Sequence, residues 1–145
     1  MRVDEEPVVV ERTFGASAEA VWKAITEVDQ MRQGYFDNIP SFEPEVGFQT
    51  QFSTRSGDRD FMHMWTVTEV APLKKIAYDW RYEGYSGDST VVWELSEQGE
   101  STTVRLTTQI REDFPQDIPE FARESCVAGW EYFIGERLKG SLAGA

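Results

Sequence analysis

IAYDWRYEGY, Ile76 to Tyr85, sets Ile76, Tyr78, Trp80 and Tyr82 on one parity and Ala77, Asp79, Arg81 and Glu83 on the other. Successive side chains of a strand point to opposite faces, so this segment reads as a strand with one aromatic and one polar face. Rings of that size need a partner layer. They form either a close-packed core or the wall of a cavity.

The same alternation extends on both sides. Phe48 and Phe52 alternate with Gln49, Gln51 and Ser53; after the turn at Ser56-Gly57-Asp58, Phe61, His63, Trp65 and Val67 oppose Met62, Met64, Thr66 and Thr68. Beyond the opening stretch, Val91, Trp93 and Leu95 share a face, and a turn at Gly99 leads to Val104, Leu106, Thr108 and Ile110. Short strands joined by Gly, Asp and Ser turns predict an antiparallel meander of six strands. Its apolar face requires a cover.

Further out, Val8, Val10, Arg12 and Phe14 share one face of a first strand. Gly15 ends it, and Ser17 is placed to N-cap a helix with the stripe Val21, Trp22, Ile25 and Val28, followed by a shorter helical piece from Asp29 to about Gln33. FDNIPSFEPEVG, Phe36 to Gly47, has two prolines and no period, and reads as a loop gating the interior. Asp117-Ile118-Pro119-Glu120 reads as a capping box opening a helix that runs to about Lys139, roughly 33 Å long. Ala122, Cys126, Trp130, Phe133 and Leu138 make its apolar stripe. The expected fold is α+β: a curved antiparallel sheet of about seven strands wrapped around a long C-terminal helix, with two short helices after the first strand. The whole chain, 1–145, is expected to be a single domain.

Composition narrows the function. The net charge of −12 is spread along the chain and repels phosphate backbones and anionic lipid, so nucleic acid and membrane are not expected partners. No run approaches the roughly 20 apolar residues of a spanning helix, and the first residues lack the apolar core of a signal peptide. A single cysteine, Cys126, precludes an intramolecular disulfide and suits the cytoplasm. One histidine and one cysteine do not supply the common transition-metal ligand sets, so no metal is expected. No GxGxxG or GxxxxGK[ST] occurs and no cofactor is implied; Gly84-Tyr85-Ser86-Gly87 falls short of GxSxG and reads as a hairpin turn.

The candidate ligand-binding wall is Phe52, Trp65, Tyr78, Trp80, Trp93, Trp130 and Phe133. Tyrosine and tryptophan carry polar tips, and several on one inner face suit an apolar pocket with a few hydrogen-bonding points. Arg12 is the inward cation, suited to a ligand carboxylate or to an acid at the sheet edge. His63 points inward too, either as a general acid or base or as a histidine satisfied by a neighbour; no other catalytic residue is indicated. Asp79, Arg81 and Glu94 fall on the outer parity and read as a solvated face.

With this element order, ERTFGASAEAVWKAI (Glu11 to Ile25), TVTEVAPLKKIAYDW (Thr66 to Trp80) and GWEYFIGERLKGSL (Gly129 to Leu142) resemble the START-like or SRPBCC superfamily. Its helix-grip fold is that of the major birch-pollen allergen (Bet v 1-like). More narrowly the chain resembles the family named after the activator of heat-shock-protein-90 ATPase. Relatives carry a tryptophan after the second helix where this chain reads GYFDN, so Tyr35 or Phe36 stands in its place. The resemblance implies a cavity between sheet and helix that takes a small apolar ligand such as a lipid or polyketide. It also implies two alternatives: a cyclase- or hydratase-like enzyme, for which the inward His63 or a buried tyrosine is the residue this chain offers, and a co-chaperone-like interaction module. A monomer, or a weak homodimer through sheet edges, is the expected state.

Overall fold

A computed structural model describes residues 1–143. Strand β1 (Val8–Phe14) precedes helices α1 (Ala18–Thr26) and α2 (Val28–Gly34). Then come β2 (Gln49–Ser56), β3 (Arg59–Ala71), β4 (Lys75–Tyr82), β5 (Asp88–Gln98) and β6 (Ser101–Glu112). A 3-10 turn (Pro119–Phe121) leads to α3 (Arg123–Tyr132), which passes through a π-helical turn (Phe133–Leu138) into α4 (Lys139–Ala143). The expected helix-grip architecture forms.

The sheet is antiparallel with the order β1-β6-β5-β4-β3-β2. Short turns keep β2 to β6 beside their sequence neighbours. β1 closes the far side on β6, with Val8 opposite Thr108 and Phe14 opposite Thr102. The sheet has six strands, not about seven. The period-two run holds five because β3 and β6 are 13 and 12 residues long, about twice the usual strand. Register breaks between Val67 and Glu69 in β3 and between Asp88 and Ser89 in β5 add bends of the kind that curve a sheet. The aromatic parity survives them: His63 pairs with Tyr82, Trp65 with Trp80 and Val67 with Tyr78 on the concave face. On the outer face Asp79 pairs with Arg111 at 3.2 Å, while Arg81 and Glu94 are exposed.

Local signals place the first helices. Ser17 Oγ accepts from the Ala20 N–H at 3.1 Å, and Val21, Ala24 and Ile25 are buried. Gly34 allows α2 to approach α4, since a Cβ there would lie 3.2 Å from the Ser141 Cβ.

The C-terminal helix departs from its expected start. Ala122 is extended (φ −74°, ψ 152°) and α3 begins at Arg123, so Asp117 and Glu120 form no capping box. Glu120 instead accepts from Ser56 Oγ at 2.8 Å and from Arg59 Nη1 at 3.2 Å, pinning the 3-10 turn to the β2–β3 hairpin. A cross-chain contact replaces the local cap. Trp130, Ile134 and Leu138, spaced four apart, are the most buried side of the helix, at 5%, 0% and 2% exposure. Ile134 was not in the expected stripe. The π turn widens the helix to i→i+5 bonding and brings Ile134 under the sheet, leaving Phe133 half-buried beside it.

Gly87 ties β5 to the segment after β6. It sits at φ +113°, and a Cβ there would lie 2.4 Å from the Phe114 ring. Gly87→Ala should therefore cost about 2–4 kcal/mol through backbone strain and overpacking together. Gly99→Ala, at φ +64° with open space around it, should cost about 1 kcal/mol. Urea unfolding midpoints of the two variants check the difference.

Candidate functional site

The concave interior divides into a filled half and a hollow half. In the filled half Tyr35, at the end of α2, is 3% exposed and reaches between the sheet and the C-terminal helix. Its hydroxyl lies 3.0 Å from the Tyr78 hydroxyl, which also accepts from Trp93 Nε1 at 2.9 Å. The Tyr35 ring stacks on Trp65 at 5.4 Å and meets Trp93 and Phe133 edge-on at 5.7 and 5.2 Å. Burial raises the pKa of both tyrosines, so both hydroxyls stay protonated. Trp65 Nε1 is the exception to this pairing: it is buried without a partner. Tyr35 thus fills the interior between α2, the sheet and the C-terminal helix.

The loop 36–47 closes this filled half. Ile39 and Phe42 are buried, and Phe42 packs against Phe48, Trp65 and Tyr78. Arg32 donates to the carbonyls of Ile39 and Pro40 at 2.8 and 3.0 Å, and Asn38 Nδ2 donates to the Ser53 carbonyl at 2.6 Å. Of this loop only Phe36 reaches the hollow half. The expected gate is a pinned plug.

The hollow half is a cavity of about 200 Å³. Trp80 and Tyr82 of β4, Ser89 and Val91 of β5 and Thr108 of β6 form its floor. Cys126, Gly129 and Trp130 of α3, with Phe133, form the facing wall. Phe36 and His63 close one side, and Met1, Phe114 and Phe121 the other, while Glu120 and Ser125 stand at the rim. Most of its polar atoms are already bonded within the protein. Trp130 Nε1 donates to Thr108 Oγ1 at 3.0 Å, and Ser89 Oγ donates to the Trp80 carbonyl at 2.8 Å. Burial raises the Cys126 thiol pKa, making it a poor nucleophile.

His63 is 4% exposed, stacked on Phe52 at 4.9 Å and edge-on to Tyr82 at 4.7 Å. Its Nδ1 lies 3.0 Å from the Phe61 carbonyl. A carbonyl only accepts, so Nδ1 carries the proton and Nε2 of the neutral ring presents a lone pair. Burial pushes the pKa down to about 4. At neutral pH the cavity therefore holds an uncharged acceptor.

Of the expected wall, Trp80, Trp130 and Phe133 border the cavity, as does His63. Trp65, Tyr78, Trp93 and Phe52 do not; they are locked into the filled half and its margin. Arg12 is exposed and ion-paired with Glu131 of α3, the sheet-edge arrangement, far from a ligand role in this cavity. Tyr82, Ser89, Thr108, Cys126 and Gly129 went unassigned to the site. Tyr82 shares the parity of Trp80, and small residues at 89, 108 and 129 were the available sign of unfilled space. Phe114 and Phe121 sit in an aperiodic connector, where no pattern marks them. Among the described residues no helix is long and apolar enough to cross a membrane, and no group of three His, Cys, Asp or Glu side chains is placed to hold a metal ion.

A six-stranded sheet curved round a C-terminal helix, with two helices after β1, defines a START-like helix-grip protein of the Bet v 1-like superfamily. Residues 15–143 match the family described as Activator of Hsp90 ATPase homolog 1-like protein, and the chain belongs to that family. No curated protein matches it in sequence. Among solved structures it is similar to protein CV1439 from Chromobacterium violaceum, at 16% identity and a TM-score of 0.78 over 94% of this chain and 96% of that one. DynU16, from the dynemicin biosynthetic locus, is 24% identical with a TM-score of 0.75; the alignment covers 96% of this chain and 48% of DynU16. The Aha1 dimer from Colwellia psychrerythraea is 21% identical with a TM-score of 0.71, over 95% and 96% of the two chains. These likenesses share a fold.

The low pKa of His63 makes stability depend on pH. The unfolded histidine takes a proton as pH falls through 6.5, and the folded one only near 4. The folded pKa is the lower, so this contribution is complete above about 6.5 and is lost as pH falls toward 4, up to about 3 kcal/mol. Urea unfolding at pH 7 and pH 4.5 should show that loss in the wild type, and His63→Gln should lack its share of it.

Proposed function

We propose that the protein is a single-domain, cytoplasmic carrier or receptor for one small, largely apolar molecule, held between the sheet and α3. The observation that supports this most directly is the 200 Å³ cavity, walled by Phe36, Trp80, Trp130 and Phe133 while neighbouring rings pack solid. An apolar cavity of about 150 Å³ accommodates benzene, so this one suits one or two rings and not a sterol. That DynU16 belongs to a biosynthetic locus is in keeping with a small-molecule role. The exposed edges of β1 and β2 are where a second copy would add, consistent with a weak dimer.

Gly129 provides the test. It lines the cavity, and a Cβ there would meet no atom within 4 Å. Gly129→Leu should occupy the space and, by removing a helical glycine, gain up to about 1 kcal/mol of stability. One- and two-ring aromatic compounds should raise the wild-type melting temperature and quench its tryptophan fluorescence, and should do neither in Gly129→Leu. If no compound of either size shifts the wild type, the carrier reading fails.

The unprotonated Nε2 of His63 supports a second reading, a cyclase- or hydratase-like proton transfer in the same cavity. Turnover that disappears in His63→Gln while binding persists would establish it. The family description supports a third, a co-chaperone-like module, for which a stimulated chaperone ATPase rate is the readout.

A further inference from the structure

We propose that the cavity selects neutral hydroxylated aromatics, phenols in particular, through a donor–acceptor pair made by His63 Nε2 and the Tyr82 hydroxyl. This rests on the carrier reading and specifies its ligand.

The polar atoms of the lining leave little choice. Thr108 Oγ1 is taken by Trp130 Nε1, and the Ser89 hydroxyl by the Trp80 carbonyl. His63 Nδ1 is held by the Phe61 carbonyl. Among the described residues no protein hydrogen bond reaches His63 Nε2, nor is it among the sealed, unpartnered polar atoms of the core; it borders the cavity. Its ring meets the Tyr82 ring edge-on at 4.7 Å. Burial also raises the Tyr82 hydroxyl pKa, so that group remains a donor. The lone pair of Nε2 and the proton of the Tyr82 hydroxyl, whose oxygen already accepts from the Trp80 side chain, are thus offered from two adjoining rings that both line the cavity.

Ligand chemistry follows from that pair. A hydroxyl matches both at once, donating to Nε2 and accepting from Tyr82. A carbonyl or an ether accepts from Tyr82 but sets its lone pairs against the lone pair of Nε2. A hydrocarbon leaves both groups unpaired, which a buried site penalises. A carboxylate finds no Lys or Arg side chain in the lining; the bordering Met1 ammonium already donates to the Phe121 carbonyl at 2.7 Å, and Glu120 stands at the rim of a chain carrying −12. Trp80 and Trp130 meet edge to face at 5.5 Å, forming one continuous aromatic wall against which a ligand ring can lie.

The test needs no variant in its first arm. 4-Ethylphenol, its methyl ether, ethylbenzene and 4-ethylbenzoate are titrated against the wild-type protein by tryptophan fluorescence and calorimetry at pH 7. The phenol should bind about tenfold tighter than ethylbenzene or the ether, and the benzoate weakest. The second arm repeats phenol and ethylbenzene with Tyr82→Phe and His63→Leu, each checked for a retained melting transition; the preference should shrink several-fold in either. Equal affinity of phenol and ethylbenzene in the wild type overturns the hydroxyl selection while leaving an apolar carrier intact. A phenol preference undiminished in both variants assigns the recognition elsewhere and overturns the proposal. If none of the four binds, this inference falls together with the carrier reading.

Discussion

The joined tips of Tyr35, Tyr78 and Trp93 are the constraint on which the interior depends. A buried hydroxyl or indole N–H without a partner costs about 1–3 kcal/mol, so most of the large amphipathic rings in this core have joined tips, Trp65 being the exception. Here they meet across three elements, α2, β4 and β5. That meeting fixes where the end of α2 lies over the sheet. The position of Tyr35 then sets that of Phe36, at the start of the pinned loop whose Phe42 packs on Trp65, and puts Trp65 against a ring face. One half of the concave face is consumed by this arrangement.

The other half stays open because its walls are tied to each other and not to filling side chains. Trp130 is held to β6 through Thr108, and Trp80 to β5 through its own carbonyl and Ser89. Glu120 fastens the 3-10 turn to Ser56 and Arg59, which brings Phe121 against Phe61, Tyr82 and Phe114 as an end wall. Gly129 and Cys126 keep the helix side shallow. The π turn begins at Phe133, where the wall ends and the filled half begins. The same turn serves packing and site, seating Ile134 in the core while Phe133 borders the cavity.

Much of this frame was legible in the chain. Alternation predicted the inward set on β3 to β6, and the observed pairing of Trp65 with Trp80 and of Trp93 with Ile76 keeps it. Ser17 acted as the cap its position suggested. The capping box at Asp117 failed for a physical reason: Glu120 found stronger partners in Ser56 and Arg59, more than sixty residues away. The strand number was overcounted by one because two long strands resemble three short ones when only parity is read. The candidate wall was right in direction and only partly right in place. Trp80, Trp130 and Phe133 face space, whereas Trp65, Tyr78, Trp93 and Phe52 face other rings.

The chain by itself determined the order of its elements, the face to which most strand side chains turn, and the family to which it belongs. Those follow from the covalent geometry of strand and helix, which orients a side chain relative to its own backbone whatever lies opposite. Only the tertiary structure decided which inward rings touch one another and which surround a void. Contact depends on the distances between elements, and those come from ring volumes and hydrogen bonds summed over residues far apart in sequence. For the same reason His63 could be read as inward from its parity, while its tautomer and its neutrality wait on the Phe61 carbonyl and on the burial around it.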